Sequence, residues 1–209
     1  QDVNFVVCNT DAQALNSSLV SVKLQLGATL TEGRGAGSKP DIGKHAALES
    51  IDDIKKILSA NTSMAFITAG MGGGTGTGAA PVIAKTARDM GILTVGIVTI
   101  PFGFEGPERI NHAIIGINEM RDHVDSLLVI NNEKLREVYG NLTISEAFAR
   151  ADDVLTIAAK GIAEIITVPG YVNVDFADVQ TVMTKSGVAV MGSGTAEGEN
   201  RAIKAIEAA

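Results

Sequence analysis

The feature that most constrains this chain is a glycine run set between an apolar segment and an alanine-rich one, Ala65-Phe-Ile-Thr-Ala-Gly-Met-Gly-Gly-Gly-Thr-Gly-Thr-Gly-Ala-Ala80. The order reads as strand, loop and then a helix beginning near Thr77. Backbone N–H groups uncovered by missing side chains and aimed by a helix N-terminus form an anion site, and phosphate is its natural ligand. At the usual frequency a chain of this length would hold about 15 glycines, whereas this one holds 23. Six of them are Gly70, Gly72, Gly73, Gly74, Gly76 and Gly78, and four more cluster at Gly33, Gly35, Gly37 and Gly43. A merely flexible turn would be a costly use of so many glycines.

Phosphate loops differ in their flanking residues. A Walker loop ends in Gly-Lys-Ser/Thr, and no lysine lies between Lys56 and Lys85. A dinucleotide fingerprint fits loosely on Gly74, Gly76 and Ala79, but it expects an acidic residue at the end of the next strand. That strand ends Val98-Thr-Ile-Pro101 instead.

Around the loop, apolar runs alternate with amphipathic ones, as in a doubly wound, mostly parallel α/β sheet with helices on both faces. Strands are expected at Val3 to Cys8, Val22 to Leu26, Met64 to Thr68, Leu93 to Ile100, Ser126 to Ile130 and Ala189 to Met191. Helices are expected at Lys44 to Leu58 and Thr77 to Met90. The most periodic segment, Ile144 to Ile166, carries Ile144, Phe148, Ala151, Leu155, Ala158, Ile162 and Ile165 in steps of four and three. This predicts a long central helix that stops before Pro169-Gly170.

Composition narrows the function classes. A net charge of −7 argues against a nucleic-acid footprint, which needs a basic face. No apolar run reaches the length of a membrane span, and no leader-like segment opens the chain, so a cytosolic protein is expected. Cys8, the single cysteine, sits in an apolar run and reads as a small buried hydrophobe. His45, His112 and His123 have no metal-ligand spacing. Both ends look cut, which suggests a piece of a longer protein.

Gly72-Gly-Gly-Thr-Gly-Thr-Gly78 resembles the phosphate loop of the tubulin/FtsZ family, and further motifs follow in that family's order over nearly the whole chain. The resemblance implies a GTP-binding domain over 1–168, with 169–209 holding a catalytic loop and the start of a segment leading onward. Asn9 and Asp11, in Asn9-Thr-Asp-Ala-Gln-Ala-Leu15, resemble a second nucleotide loop, though either could simply cap a turn. Gly35, Ala36 and Gly37 resemble the loop that closes over the terminal phosphate; Arg34 receives no role.

The resemblance places Gly70, Gly72, Gly73, Gly74, Thr75, Gly76, Thr77 and Gly78 on the phosphates, with Pro101 beside them. Glu105 and Arg109 resemble residues near the ribose, although by spacing alone they read as a surface helix pair. Asn132, Phe148 and Asp153 resemble residues that contact and stack on guanine, whose N1–H and amino group a carboxylate can accept. Phe148 also continues an apolar stripe and could serve the core alone.

Asn173-Val-Asp-Phe-Ala-Asp178 resembles the loop that supplies catalysis in trans. Asp175 and Asp178, three apart, share one face of a first helical turn, where helix capping would account for them equally well. With Asn173 they would act on the nucleotide of the next subunit, a head-to-tail contact that propagates into a filament.

The implied activity is GTP hydrolysis to GDP and phosphate in a polymerising cytoskeletal protein of the division ring. Magnesium would assist, its ligands unassigned. Self-association and cytoplasmic placement at the division site are implied, as are contacts with membrane-anchor and regulatory division proteins through a tail beyond this segment. A related GTPase for plasmid partition or cell shape, or a nucleotide-binding module without turnover, are the alternatives. In the family another strand precedes the segment, so these residues alone are expected to fold poorly or bind nucleotide weakly.

Overall fold

The computed structural model describes residues 3–140, 142–168, 174–189 and 194–208. The first half runs β1 (Val6–Asn9), α1 (Ala12–Ser17), β2 (Val22–Gln25), α2 (Ala28–Thr31), α3 (Pro40–Glu49) and α4 (Ile51–Leu58). It continues through β3 (Met64–Gly70), α5 (Thr75–Asp89) and β4 (Leu93–Ile100). A short 3-10 turn at Gly103–Glu105 leads into α6 (Pro107–Arg121), β5 (Ser126–Asn131), α7 (Asn132–Tyr139) and α8 (Ile144–Thr167). The chain then forms α9 (Phe176–Met183), β6 (Gly187–Val188) and α10 (Arg201–Ala208).

Every strand pairing is parallel, as the alternation of elements predicts. The strands divide into two sheets, β1-β2 and β3-β4-β5-β6. Strand β4 is the centre of the larger one. Its Val98 packs with Met71, Ala80, Ala84 and Met120 toward α5 and α6. Its Val95 and Ile97 pack on the other face with Ala158, Val154 and Ile162 of α8. Helices on both faces bury the strand from Leu93 to Val98, which is why it reads as a continuous apolar run.

The two sheets meet through helices. Leu26, beside β2, packs with Ala46 and Ala47 of α3, Ile54 of α4 and Ala79 of α5. Small residues let the α3 and α5 backbones touch: a Cβ on Gly43 would strike the Gly74 carbonyl, and one on Gly78 would strike the Pro40 carbonyl. Gly43, grouped by sequence with the 33–37 loop, therefore belongs to a helix seam.

Several boundaries differ from expectation for identifiable reasons. The helix expected at Lys44 to Leu58 begins at Pro40, which suits a first helical position, and breaks at Ser50. There the Gly27 N–H donates to Ser50 Oγ at 3.0 Å, and the serine backbone leaves helical geometry at φ −96°, ψ 18°. Helix α5 starts at Thr75, two residues before the expected start. Strand β1 begins at Val6 rather than Val3, and Val3 and Phe5 are exposed. The strand expected at Ala189 to Met191 is not found there: the chain pairs Gly187 and Val188 just before it, Ala189 lies outside the strand, and Val190 and Met191 lie outside the described residues.

The long helix matches its pattern closely. Thr143 and Glu146 form a capping box at its start, in which Glu146 Oε2 accepts from the Thr143 N–H at 2.8 Å. The exchange holds the Glu146 carboxyl below the usual carboxylate range.

Cys8 is half-buried against the cluster around Leu26, and burial pushes its thiol up to about 11. At pH 8 the thiolate fraction is then about a hundredfold below that of an exposed cysteine. Alkylation of Cys8 by iodoacetamide, followed by mass spectrometry, is expected to lag an unfolded control by roughly that factor. Equal rates would contradict this burial.

Candidate functional site

The carboxyl ends of β3, β4 and β5 open on a cleft of about 320 Å³. This is the edge at which parallel α/β sheets receive ligands. Its walls bring together Gly70, Gly73, Pro101, Glu105, Arg109, Asn132 and Phe148, seven residues singled out by sequence. Met71, Thr99, Ala151, Asp152 and Leu155 complete it.

The floor is the glycine loop at the start of α5. Its glycines have different duties. A Cβ on Gly73 would meet nothing within 4 Å, so this backbone is open to a ligand. Gly72 has φ +101°, and a Cβ there would come within 2.8 Å of the Arg109 carbonyl oxygen. Gly74 lies against Ala36 and Lys39, while Cβ atoms on Gly76 and Gly78 would strike the carbonyls of Gly70 and Pro40. Gly74, Gly76 and Gly78 thus serve close packing against neighbouring segments.

The two threonines also divide. Thr77 Oγ1 accepts from the Gly72 N–H at 2.8 Å and locks the turn. Thr75 Oγ1 lies 2.6 Å from Thr10 Oγ1.

Two neighbouring loops close this side. Asp11 caps α1, its Oδ1 accepting from the N–H groups of Gln13 at 2.8 Å and Ala14 at 3.0 Å. Asn9 Oδ1 accepts from the Asp11 N–H at 3.1 Å. The backbones of Asp11 and Arg34 form an isolated antiparallel β-bridge, and the Gly35 N–H donates to the Thr10 carbonyl at 3.2 Å. Ala36 touches the phosphate loop at Gly74, Thr10 between Asn9 and Asp11 reaches Thr75, and Gly37 has open space where a Cβ would stand.

Opposite lies a built wall. Glu105 Oε1 accepts from the Phe102 N–H at 2.9 Å, and Oε2 accepts from Arg109 Nη1 at 2.9 Å. The sequence expectation of a helix pair and that of a ribose contact fall on the same two side chains. Phe102 stacks on Phe104 at 5.2 Å and meets Phe148 edge-on at 5.2 Å. Phe148 is 40% exposed, so it serves the cluster and still faces the cleft.

Asn132 is 4% exposed, and its Oδ1 has no hydrogen-bond partner among the described residues. Buried amide oxygens are nearly always paired, so this orphan at the cleft wall fits a ligand donor.

The carboxylate on the wall is Asp152, not Asp153. Phe148, Ala151, Asp152 and Leu155 are spaced by three and four and share one helix face. Asp153, one residue further round, points to solvent and pairs with Arg150 at 3.3 Å. The stripe of Phe148, Ala151 and Leu155 contained the signal, since the position four after Phe148 lies on that face.

The Asp175 and Asp178 pair is not brought to this cleft. Asp175 Oδ1 accepts from the Asp178 N–H at 3.0 Å, and Asp178 Oδ2 accepts from the Asp175 N–H at 3.2 Å, which caps α9. Each keeps a second oxygen free of partners among the described residues. Helix α8 lines the cleft from Phe148 to Leu155 and spans 24 residues in all, about 36 Å. Strand β4 beneath it has 8 residues, about 26 Å. The helix overshoots the sheet, and α9 packs at the opposite end, where Gln180 and Thr184 meet Ile92, Leu93 and Asp125. Asn173 lies outside the described residues. Among the described residues no three His, Cys, Asp or Glu side chains are grouped to hold a metal, and no helix is long and apolar enough to cross a membrane.

Fold and cleft define a parallel α/β domain with a glycine loop, of a kind suited to an anion, at the carboxyl ends of its strands. Residues 1–140 match the Tubulin/FtsZ family, GTPase domain, and the chain belongs to that family. It is 54% identical, over all of its length and 46% of the relative's, to the cell division protein FtsZ of Porphyromonas gingivalis. It is 53% identical to that of a Wolbachia species, over all of this chain and 56% of the relative. The chain spans about half the length of these curated relatives. A solved empty FtsZ dimer of M. jannaschii superposes with a TM-score of 0.91 at 46% identity, covering 97% of this chain and 59% of that one. CetZ2 of Haloferax volcanii, at 23% identity and a TM-score of 0.72 over 88% of this chain and 54% of that one, shares the fold.

Proposed function

We propose that this segment is the GTP-binding half of a polymerising cell-division GTPase whose active site is completed by a neighbouring copy. The carrying observation is the order of the cleft walls: an open glycine floor, a Glu-Arg pair, then an aromatic face with Asp152 and the orphan oxygen of Asn132. Phosphates fit the floor. Glu105 can accept from sugar hydroxyls while Arg109 donates. Guanine stacks on Phe148, its N1–H and amino group donating to Asp152. Asn132 Oδ1 accepts a further base N–H.

Hydrolysis needs a water aimed at the γ-phosphate. Asp175 and Asp178 have free oxygens suited to orienting that water, and their place at the far end of the sheet supports delivery from the next subunit; the family resemblance assigns Asn173 to the same task. The donor set suits magnesium held chiefly by phosphate and water oxygens rather than in a protein cage; its chemistry would be neutralisation of phosphate charge. Residues 1–168 are read as the nucleotide domain and 169–209 as the catalytic loop and its sequel. A cytoplasmic protein gathered at the division site, meeting membrane-anchor and regulatory division proteins elsewhere in the molecule, completes the reading.

GTP turnover per molecule is expected to rise with protein concentration and then level off, measured as phosphate release from the purified protein. A rate per molecule independent of concentration would overturn assembly-dependent catalysis, and binding without turnover would leave only a nucleotide module.

A further inference from the structure

We propose that Thr10 is a positioning residue of the phosphate loop, its buried hydroxyl donating to Thr75 so that the Thr75 proton is turned toward the ligand. The inference rests on the reading of the Gly70–Thr75 loop as a phosphate site. Thr10 is fully buried, with no exposed surface, and its side chain lies 2.6 Å from Thr75 Oγ1, across 65 residues of sequence. A hydroxyl has one proton and can accept twice, so a hydroxyl pair must choose a direction.

The surroundings choose it. Thr10 Oγ1 has no other hydrogen-bond partner among the described residues and no access to water, so Thr75 is the acceptor open to its proton. Thr75 stands at the first position of α5, where an anion accepts but cannot donate. The chain Thr10 to Thr75 to phosphate gives every hydroxyl proton an acceptor. The reverse direction would aim oxygen lone pairs at negative charge. Aligned hydroxyls also polarise one another in a dry environment.

The same residue governs the adjoining loop. The Thr10 carbonyl accepts from the Gly35 N–H at 3.2 Å and from Thr31 Oγ1 at 3.2 Å. One buried residue thereby fixes the 33–37 loop by its backbone and the phosphate helix by its side chain.

The test is a double-mutant cycle on the full-length protein, reading the affinity of a non-hydrolysable GTP analogue. Thr10→Val keeps the shape and removes the donor; affinity is expected to fall about five- to tenfold, the worth of one hydrogen bond. Thr10→Ser should bind within about twofold of the parent, and Thr10→Val added to Thr75→Val should cost nothing beyond Thr75→Val alone. If valine is not accommodated, Thr10→Cys, a much weaker donor, takes its place. Parental affinity in folded Thr10→Val, or losses that add in the double variant, would overturn the proposal while leaving the phosphate site intact. Parental affinity in Thr75→Val would overturn both.

Discussion

Gly78→Ala is expected to destabilise the fold by about 3 kcal/mol or more, because the added methyl group has nowhere to go. It would strike the Pro40 carbonyl and lie 2.6 Å from the Lys44 backbone nitrogen. Neither is the yielding end of a side chain, so α3 and α5 would have to part. That seam carries the Leu26 cluster and joins the two sheets. Gly73→Ala, five residues earlier, is the control, since its methyl group meets nothing within 4 Å. Thermal unfolding should separate them: a collapsed or strongly lowered Tm for Gly78→Ala, and a near-parental Tm with weakened nucleotide binding for Gly73→Ala. Equal Tm values would refute this division of labour among the glycines.

Asp152→Asn is expected to weaken GTP binding by about a hundredfold or more and to favour xanthosine triphosphate. A site built to pair with particular donors discriminates strongly once they are mismatched. Guanine presents an N1–H and an amino group to a carboxylate, while xanthine has a carbonyl in place of the amino group and suits the mixed donor and acceptor of an amide. Asp153→Asn should stay within about twofold, because that carboxylate pairs with Arg150 in solvent, an arrangement that contributes little. Competition binding with both nucleotides on both variants decides the assignment. A nucleotide switch in Asp153→Asn instead would move the base-reading role back by one residue.

That one-residue difference shows what sequence can and cannot carry. Strand, loop and helix around Gly70 were legible because glycine density and an apolar run are local properties, and α8 was legible because its period persists for six turns. Which of the two aspartates lines the cleft depends on helical phase. Adjacent aspartates differ by about 100° around the axis, and a motif match does not fix which one faces the cleft. The break at Ser50 was hidden for another reason: the group that draws the serine out of the helix is the Gly27 N–H, 23 residues away. The duties of Gly74, Gly76 and Gly78 were hidden similarly, since the groups they admit are the Ala36 methyl and the backbones of Lys39, Pro40 and the end of β3. Local pattern announces that glycine is needed, and the fold alone says what comes close.

The placement of α9 at the foot of the sheet, with the cleft at its head, gives the molecule a direction and an arithmetic. In a row of copies stacked foot to head, every interior junction joins a cleft to a pair of carboxylates. At one terminus a cleft stays open with no aspartates above it, and at the other a pair of aspartates has no cleft to serve. On the proposed function, such a row would have one fewer finished reaction centre than it has nucleotides, and its cleft-bearing end would keep its triphosphate until another copy arrives.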